Sequence, residues 1–117
     1  MTTNGYQLTE TLLNEINVPE VGMVSHTLFN NDDLKIVLFG FAPGHELTAH
    51  TAPMPATIQI LRGEATVTLE SETHKVGAGC FIHMLPNLLH GIVATTPLLM
   101  LLTLVKAART SAPSTGA

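Results

Sequence analysis

Between residues 56 and 70 the sequence alternates apolar and polar residues on either side of an Arg62-Gly63 pair. Ala56, Ile58 and Ile60 fall on one side, and after the pair Ala65, Val67 and Leu69 alternate with Thr66 and Thr68. An extended chain sends successive side chains to opposite faces, so this stretch describes two half-buried strands joined by a tight turn. The same grammar runs through most of the chain. Residues 21–29 read as a strand, Asn30, Asn31, Asp32 and Asp33 as a turn of residues that tolerate left-handed backbone, and residues 34–41 as the hairpin partner, closed by Pro43-Gly44. Pro53 and Pro55 interrupt the chain before Ala56. A turn at Ser71-Glu72, a strand over 73–76, the Gly77-Ala78-Gly79 break, and strands over 80–85, 89–94 and 98–106 complete the pattern. About ten short strands in ~100 residues define an all-β sandwich or small barrel.

Outside the strands, Leu8, Leu12, Leu13 and Ile16 recur at helical spacing until Pro19 stops them, which allows one or two helical turns. The expected organisation is an N-terminal segment over 1–20, one barrel domain over 21–106, and a small, polar, disordered tail over 107–117. The net charge of −4 gives no electrostatic footprint for a phosphate backbone, so nucleic acid is not an expected partner. The longest apolar run, Leu98 to Val105 interrupted by Thr103, is far short of the roughly 20 residues that cross a bilayer. One cysteine, Cys80, cannot close an internal disulfide, and no basic-then-apolar leader opens the sequence, so the expected compartment is the cytoplasm. Residues 98–102 are apolar at every position, which calls for cover on both faces of the last strand; a homodimer is the expected source of it.

The histidines carry the chemistry. His50 precedes the proline-broken stretch, His90 follows Pro86-Asn87, and His83 lies between them. Imidazoles that meet inside a barrel can hold a divalent cation through neutral ring nitrogens. Gly44 stands six residues before His50, and Gly63 closes the segment; further on, Gly79 is followed at fixed distance by Pro86, Asn87 and His90. These two segments resemble the two motifs of the cupins: Gly, five residues, His-X-His, three or four residues, Glu, six residues, Gly; and Gly, five residues, Pro-X-Gly, two residues, His, three residues, Asn. Pro86 sits one place beyond the second motif's Pro, and Asn87 replaces its Gly. The resemblance spans residues 34–105 and implies a double-stranded β-helix, or jelly-roll, barrel.

It also implies a metal centre of three histidines and one glutamate, and here this chain departs. The four positions read His50, Ala52, Ala56 and His90. A methyl group has no lone pair, so the two remaining imidazoles are the candidate metal ligands, for Zn, Fe, Mn, Ni or Cu, with the other positions open to water or substrate. His83 is the candidate additional ligand, although a strand histidine is more often packed than ligating. Glu46 shares strand parity with His50 if that segment is straight, and His45 and His74, beside turns, read as solvated. Met54 and Met84 border the same region, where ordinary core packing is the simpler account. Ala52, Ala56, Ile58 and Ile60 are the expected pocket lining, small and aliphatic. Three functions stay open: a small-molecule-binding barrel that works through a divalent ion, with or without catalysis; a metal-free binding or sensor module in which the two histidines act as hydrogen-bond donors; and a structural or interaction protein whose pocket is vestigial. The fold itself hosts enzymes and binders alike.

Overall fold

The computed structural model describes residues 5–106, and the expectation for the tail over 107–117 lies outside them. Among the described residues nine strands follow a 3-10 turn at Leu12–Asn14: β1 (Met23–Asn30), β2 (Leu34–Phe41), β3 (Glu46–His50), β4 (Ala56–Arg62), β5 (Glu64–Leu69), β6 (Glu72–Gly77), β7 (Phe81–Met84), β8 (His90–Ala94) and β9 (Leu98–Val105). They form two antiparallel sheets, ordered β1-β2-β9-β4-β7 and β3-β8-β5-β6. This is the two-sheet jelly roll of a double-stranded β-helix. It agrees with the alternation in the sequence, since the inward residues of β4 and β5, Ala56, Ile58, Ile60, Ala65 and Val67, are all at most 4% exposed. Across the interior they meet Phe41, Met84, Ile92, Leu98 and Met100 in one apolar cluster.

The turns follow from residue chemistry. Asn31 folds the β1–β2 connection by accepting, through Oδ1, the amides of Asp33 and Leu34 at 2.8 and 2.9 Å. At the β4–β5 turn Gly63 adopts φ +91°, a conformation in which an added Cβ would overlap the Pro97 carbonyl. Asn87 takes φ +68°, as its place in the second motif requires, and donates its amide to the Ala52 carbonyl at 2.7 Å. That bond draws the β7–β8 connection onto the β3–β4 connection. Glu70, also left-handed at φ +54°, holds Leu89 twice: its amide donates to the Leu89 carbonyl and its carboxylate accepts the Leu89 amide, both at 2.8 Å.

The first three residues of β9, Leu98, Leu99 and Met100, are buried on both faces, and part of the cover comes from the chain itself. Ile16 and Val18 cross the outer face at Gly40, so close that a Cβ there would meet Ile16 Cδ1 at 3.3 Å. On that face Leu38 and Leu99 are fully buried. Toward the other end the cover lifts, leaving an apolar cleft of about 750 Å³ framed by Tyr6, Leu12, Phe29, Leu34, Ile36 and Leu101. Among the described residues no helix is long and apolar enough to cross a membrane.

Candidate functional site

His50 ends β3 and His90 begins β8, and the ladder between these strands sets them opposite one another. The register reaches this pairing through a bulge. Glu46 pairs with Val93 and Leu47 with Ile92, then one extra residue of β3 is taken up before His50 meets His90. The bulge is accommodated at Gly91, where a Cβ would lie 3.0 Å from Ala49 N and 3.1 Å from Leu47 O. It also breaks the straight-strand parity that would have put Glu46 beside His50, and Glu46 is exposed opposite Val93.

The two imidazole rings stand with centres 4.5 Å apart, tilted by 52°. Each is oriented by its own strand: His50 Nδ1 lies 2.8 Å from the Thr48 carbonyl, and His90 Nδ1 lies 2.9 Å from the Leu88 carbonyl. A carbonyl oxygen only accepts, so in both rings the proton sits on Nδ1, and the neutral imidazole keeps a bare lone pair on Nε2. The donor role expected for these histidines is thereby used on the backbone. What they offer a ligand is acceptor or metal-ligating nitrogen. His90 is half-buried and His50 exposed, which leaves the pair at the mouth of a cavity of about 170 Å³.

Ala52 and Ala56 line this cavity, together with Met54, Met84 and, from β9, Leu102 and Leu104. Ile58 and Ile60 do not. They point inward on β4 but lie farther along it, packed in the core at 4% and 1% exposure. His83 is not brought to the pair either. It pairs with Thr57 while its neighbour Met84 pairs with the inward Ala56, so His83 is exposed on the opposite face of the sheet. His45, expected to be solvated, is half-buried and packs edge-on to Phe41 with centres 5.2 Å apart. His26 and His74 sit 3.8 and 3.4 Å from Glu15 and Glu72 on the surface. Among the described residues no three His, Cys, Asp or Glu side chains gather where they could hold one metal ion.

Glu70 and Gly91 have no place in the sequence motifs, yet both set the pair. Glu70 fixes Leu89, the residue before His90, and Gly91 gives the β3 bulge its room. Only an acidic residue at a turn and a glycine next to a histidine mark them in the sequence.

The fold and the site together define a class: a small two-sheet β-barrel with paired histidines at one mouth and alanines where further ligands would stand. The family profile described as "Cupin domain" matches residues 37–104, more than half of the chain. The chain therefore belongs to the cupin-domain family. Among solved structures it is similar to a conserved protein of unknown function from Streptococcus pyogenes, at 31% identity and TM-score 0.79, covering 94% of this chain and 91% of that one. A cupin superfamily protein from Desulfitobacterium hafniense DCB-2 matches at 23% identity and TM-score 0.74, covering 77% and 83%. KdgF from Halomonas sp. matches at 25% identity and TM-score 0.65, covering 72% and 79%. Comparison with curated proteins finds no match.

Proposed function

We propose that the protein binds a small, largely apolar molecule bearing a hydrogen-bond donor, held between the Nε2 atoms of His50 and His90. One observation carries this reading: both rings spend their Nδ1 proton on a backbone carbonyl, and both border one cavity whose remaining walls are aliphatic or thioether side chains. A pocket of about 170 Å³ lies well below the ~300–1,000 Å³ of sites for drug-sized ligands, so the ligand has only a few heavy atoms. The family's four-ligand divalent centre does not fit this chain. Positions 52 and 56 carry methyl groups, no carboxylate lines the cavity, and a divalent ion would find two protein nitrogens. Divalent binding at His50 and His90 is accordingly expected to be weak, with water or the small molecule filling the remaining positions.

The test is a titration of ¹⁵N-histidine-labelled protein with small phenols, alcohols and carboxylic acids, following the imidazole nitrogens. The expected result is a paired shift of the His50 and His90 Nε2 signals by at least one compound class, abolished by His90→Ala. Shifts confined to other histidines, or binding that survives His90→Ala unchanged, would overturn the reading.

A further inference from the structure

We propose that the group held between His50 and His90 is a primary ammonium, and that the ligand class is a short primary aliphatic amine whose alkyl chain occupies the cavity. The proposal rests on the reading above, that both Nε2 lone pairs serve one ligand, and it names the chemistry of that ligand. Each ring spends its Nδ1 proton on its own strand, at the Thr48 and Leu88 carbonyls, so neither Nε2 has a hydrogen to give. One ligand atom that satisfies both rings must therefore carry at least two hydrogens. Two hydrogen bonds of about 2.9 Å leaving one nitrogen at a tetrahedral angle end roughly 4.7 Å apart. The ring centres stand 4.5 Å apart.

This count excludes most small polar groups. An alcohol or phenol has a single hydrogen and serves one ring. A carboxylate has none, and turns negative charge toward two lone pairs. A primary amide has two, but its carbonyl oxygen would need a donor, and apart from the histidines the cavity is lined by alanine, methionine and leucine side chains. A primary amine is protonated near neutral pH. Its nitrogen gives two hydrogens to the imidazoles in charge-assisted bonds and the third to water.

Placement and size agree with such a ligand. His50 is exposed at the mouth, so the charged head stays hydrated while the alkyl chain meets the aliphatic wall. The net charge of −4 draws cations toward the protein. At the ~30 Å³ that one water occupies in the liquid, a cavity of about 170 Å³ has room for about five heavy atoms, an alkyl chain of roughly four or five carbons.

The test is calorimetric titration of the full chain at pH 8 with butylamine, butan-1-ol, butyramide, butyrate and N,N-dimethylbutylamine. The last keeps the positive charge but carries one hydrogen on nitrogen, so it separates charge from hydrogen count. Butylamine is expected to bind one per chain, at least tenfold tighter than each of the others. His50→Ala and His90→Ala should each weaken it at least tenfold, Ala52→Leu should weaken it by narrowing the cavity, and His83→Ala, on the opposite face of the sheet, should leave it unchanged. Circular dichroism checks each fold, and His50→Ala, at the exposed end of β3, serves if His90→Ala does not fold. Equal binding of butylamine and its dimethyl derivative, or butanol or butyrate binding as tightly as butylamine, would overturn the proposal. Absence of butylamine binding would overturn it too. If another compound class then still shifts the His50 and His90 nitrogens together, the small-molecule reading stands without the amine; if none does, both fall.

Discussion

Replacing Gly63 by Ala is the sharpest test of how the motif glycine shapes the barrel. Two costs arise. At φ +91° an L-residue pays the left-handed penalty of about 1–2 kcal/mol, and the new methyl overlaps the Pro97 carbonyl while coming within 3.1 Å of Leu98 Cα. Relieving the overlap moves the β4–β5 turn away from the loop before β9. That loop is pinned to Glu64: Thr95 N and Thr96 N donate to its carbonyl, at 2.9 and 3.3 Å, and its amide donates to Thr96 Oγ1 at 2.9 Å. Losing one or two such bonds removes about 0.5–1.5 kcal/mol each. Loss of glycine's freedom in the unfolded chain returns about 0.4–1 kcal/mol. The net expectation is destabilisation of about 0.5–4.5 kcal/mol, and at the centre of that range, about 2.5 kcal/mol, a fall in Tm of roughly 10–15 °C for a domain of this size. Gly44→Ala is the control, since φ is +83° but nothing lies within 4 Å of the added Cβ, so backbone strain is the one cost and the fall should be under about 5 °C. Thermal unfolding by circular dichroism decides. Equal Tm values for the two variants would show that the Pro97 contact does not constrain the turn.

Gly91→Ala should act on the site more than on stability, because β3 is an edge strand that can yield: Tm falls by a few degrees, while nuclear Overhauser contacts between the His50 and His90 rings disappear. Retained ring contacts would refute the role given to the bulge. Ala52→His combined with Ala56→Glu restores the nitrogen and oxygen positions of the family motif and should raise calorimetric Zn(II) or Mn(II) affinity at least about tenfold, a gain removed by adding His90→Ala. Equal affinity in parent and double variant would mean that these positions do not face a common point. A homodimer is the arrangement expected to close the apolar cleft beside Leu101, so the parent should sediment as a dimer at micromolar concentration and Leu101→Lys as a monomer. A monomeric parent would show that the chain's own N-terminal segment is cover enough.

The barrel was legible wherever one sheet face is buried and the other is wet, since burial then writes itself as alternation. β2 spans residues 34–41 as the pattern indicates, and β4 and β5 flank the Arg62-Gly63 turn as expected. β3 has no such signature: of its five residues Leu47 alone is even half-buried, because the strand lies at a sheet edge and carries a bulge. The N-terminal cover was half-visible. Ile16 lies in the expected apolar series, but that it crosses the outer face at Gly40 depends on tertiary packing, and the helical pattern yields a single 3-10 turn.

Motif spacing singles out His50, His90, Ala52 and Ala56, which border one cavity, and what it leaves out is informative. Whether a strand histidine faces in or out is a matter of register, and the Thr57–His83 pairing, which sequence does not show, sends His83 outward. The orientation of the retained pair also has a source that no motif encodes. Each ring is held by a carbonyl two residues back in its own strand, Thr48 for His50 and Leu88 for His90, and Leu88 is placed in turn by the Leu85 and Glu70 contacts around it. In a four-ligand metal centre the ion itself helps to align its ligands. Here backbone geometry aligns the two imidazoles, and alanine at positions 52 and 56 leaves that alignment in place. A barrel that keeps two aimed nitrogens among aliphatic and thioether side chains, with no carboxylate in the lining, presents two hydrogen-bond acceptors in an otherwise apolar wall.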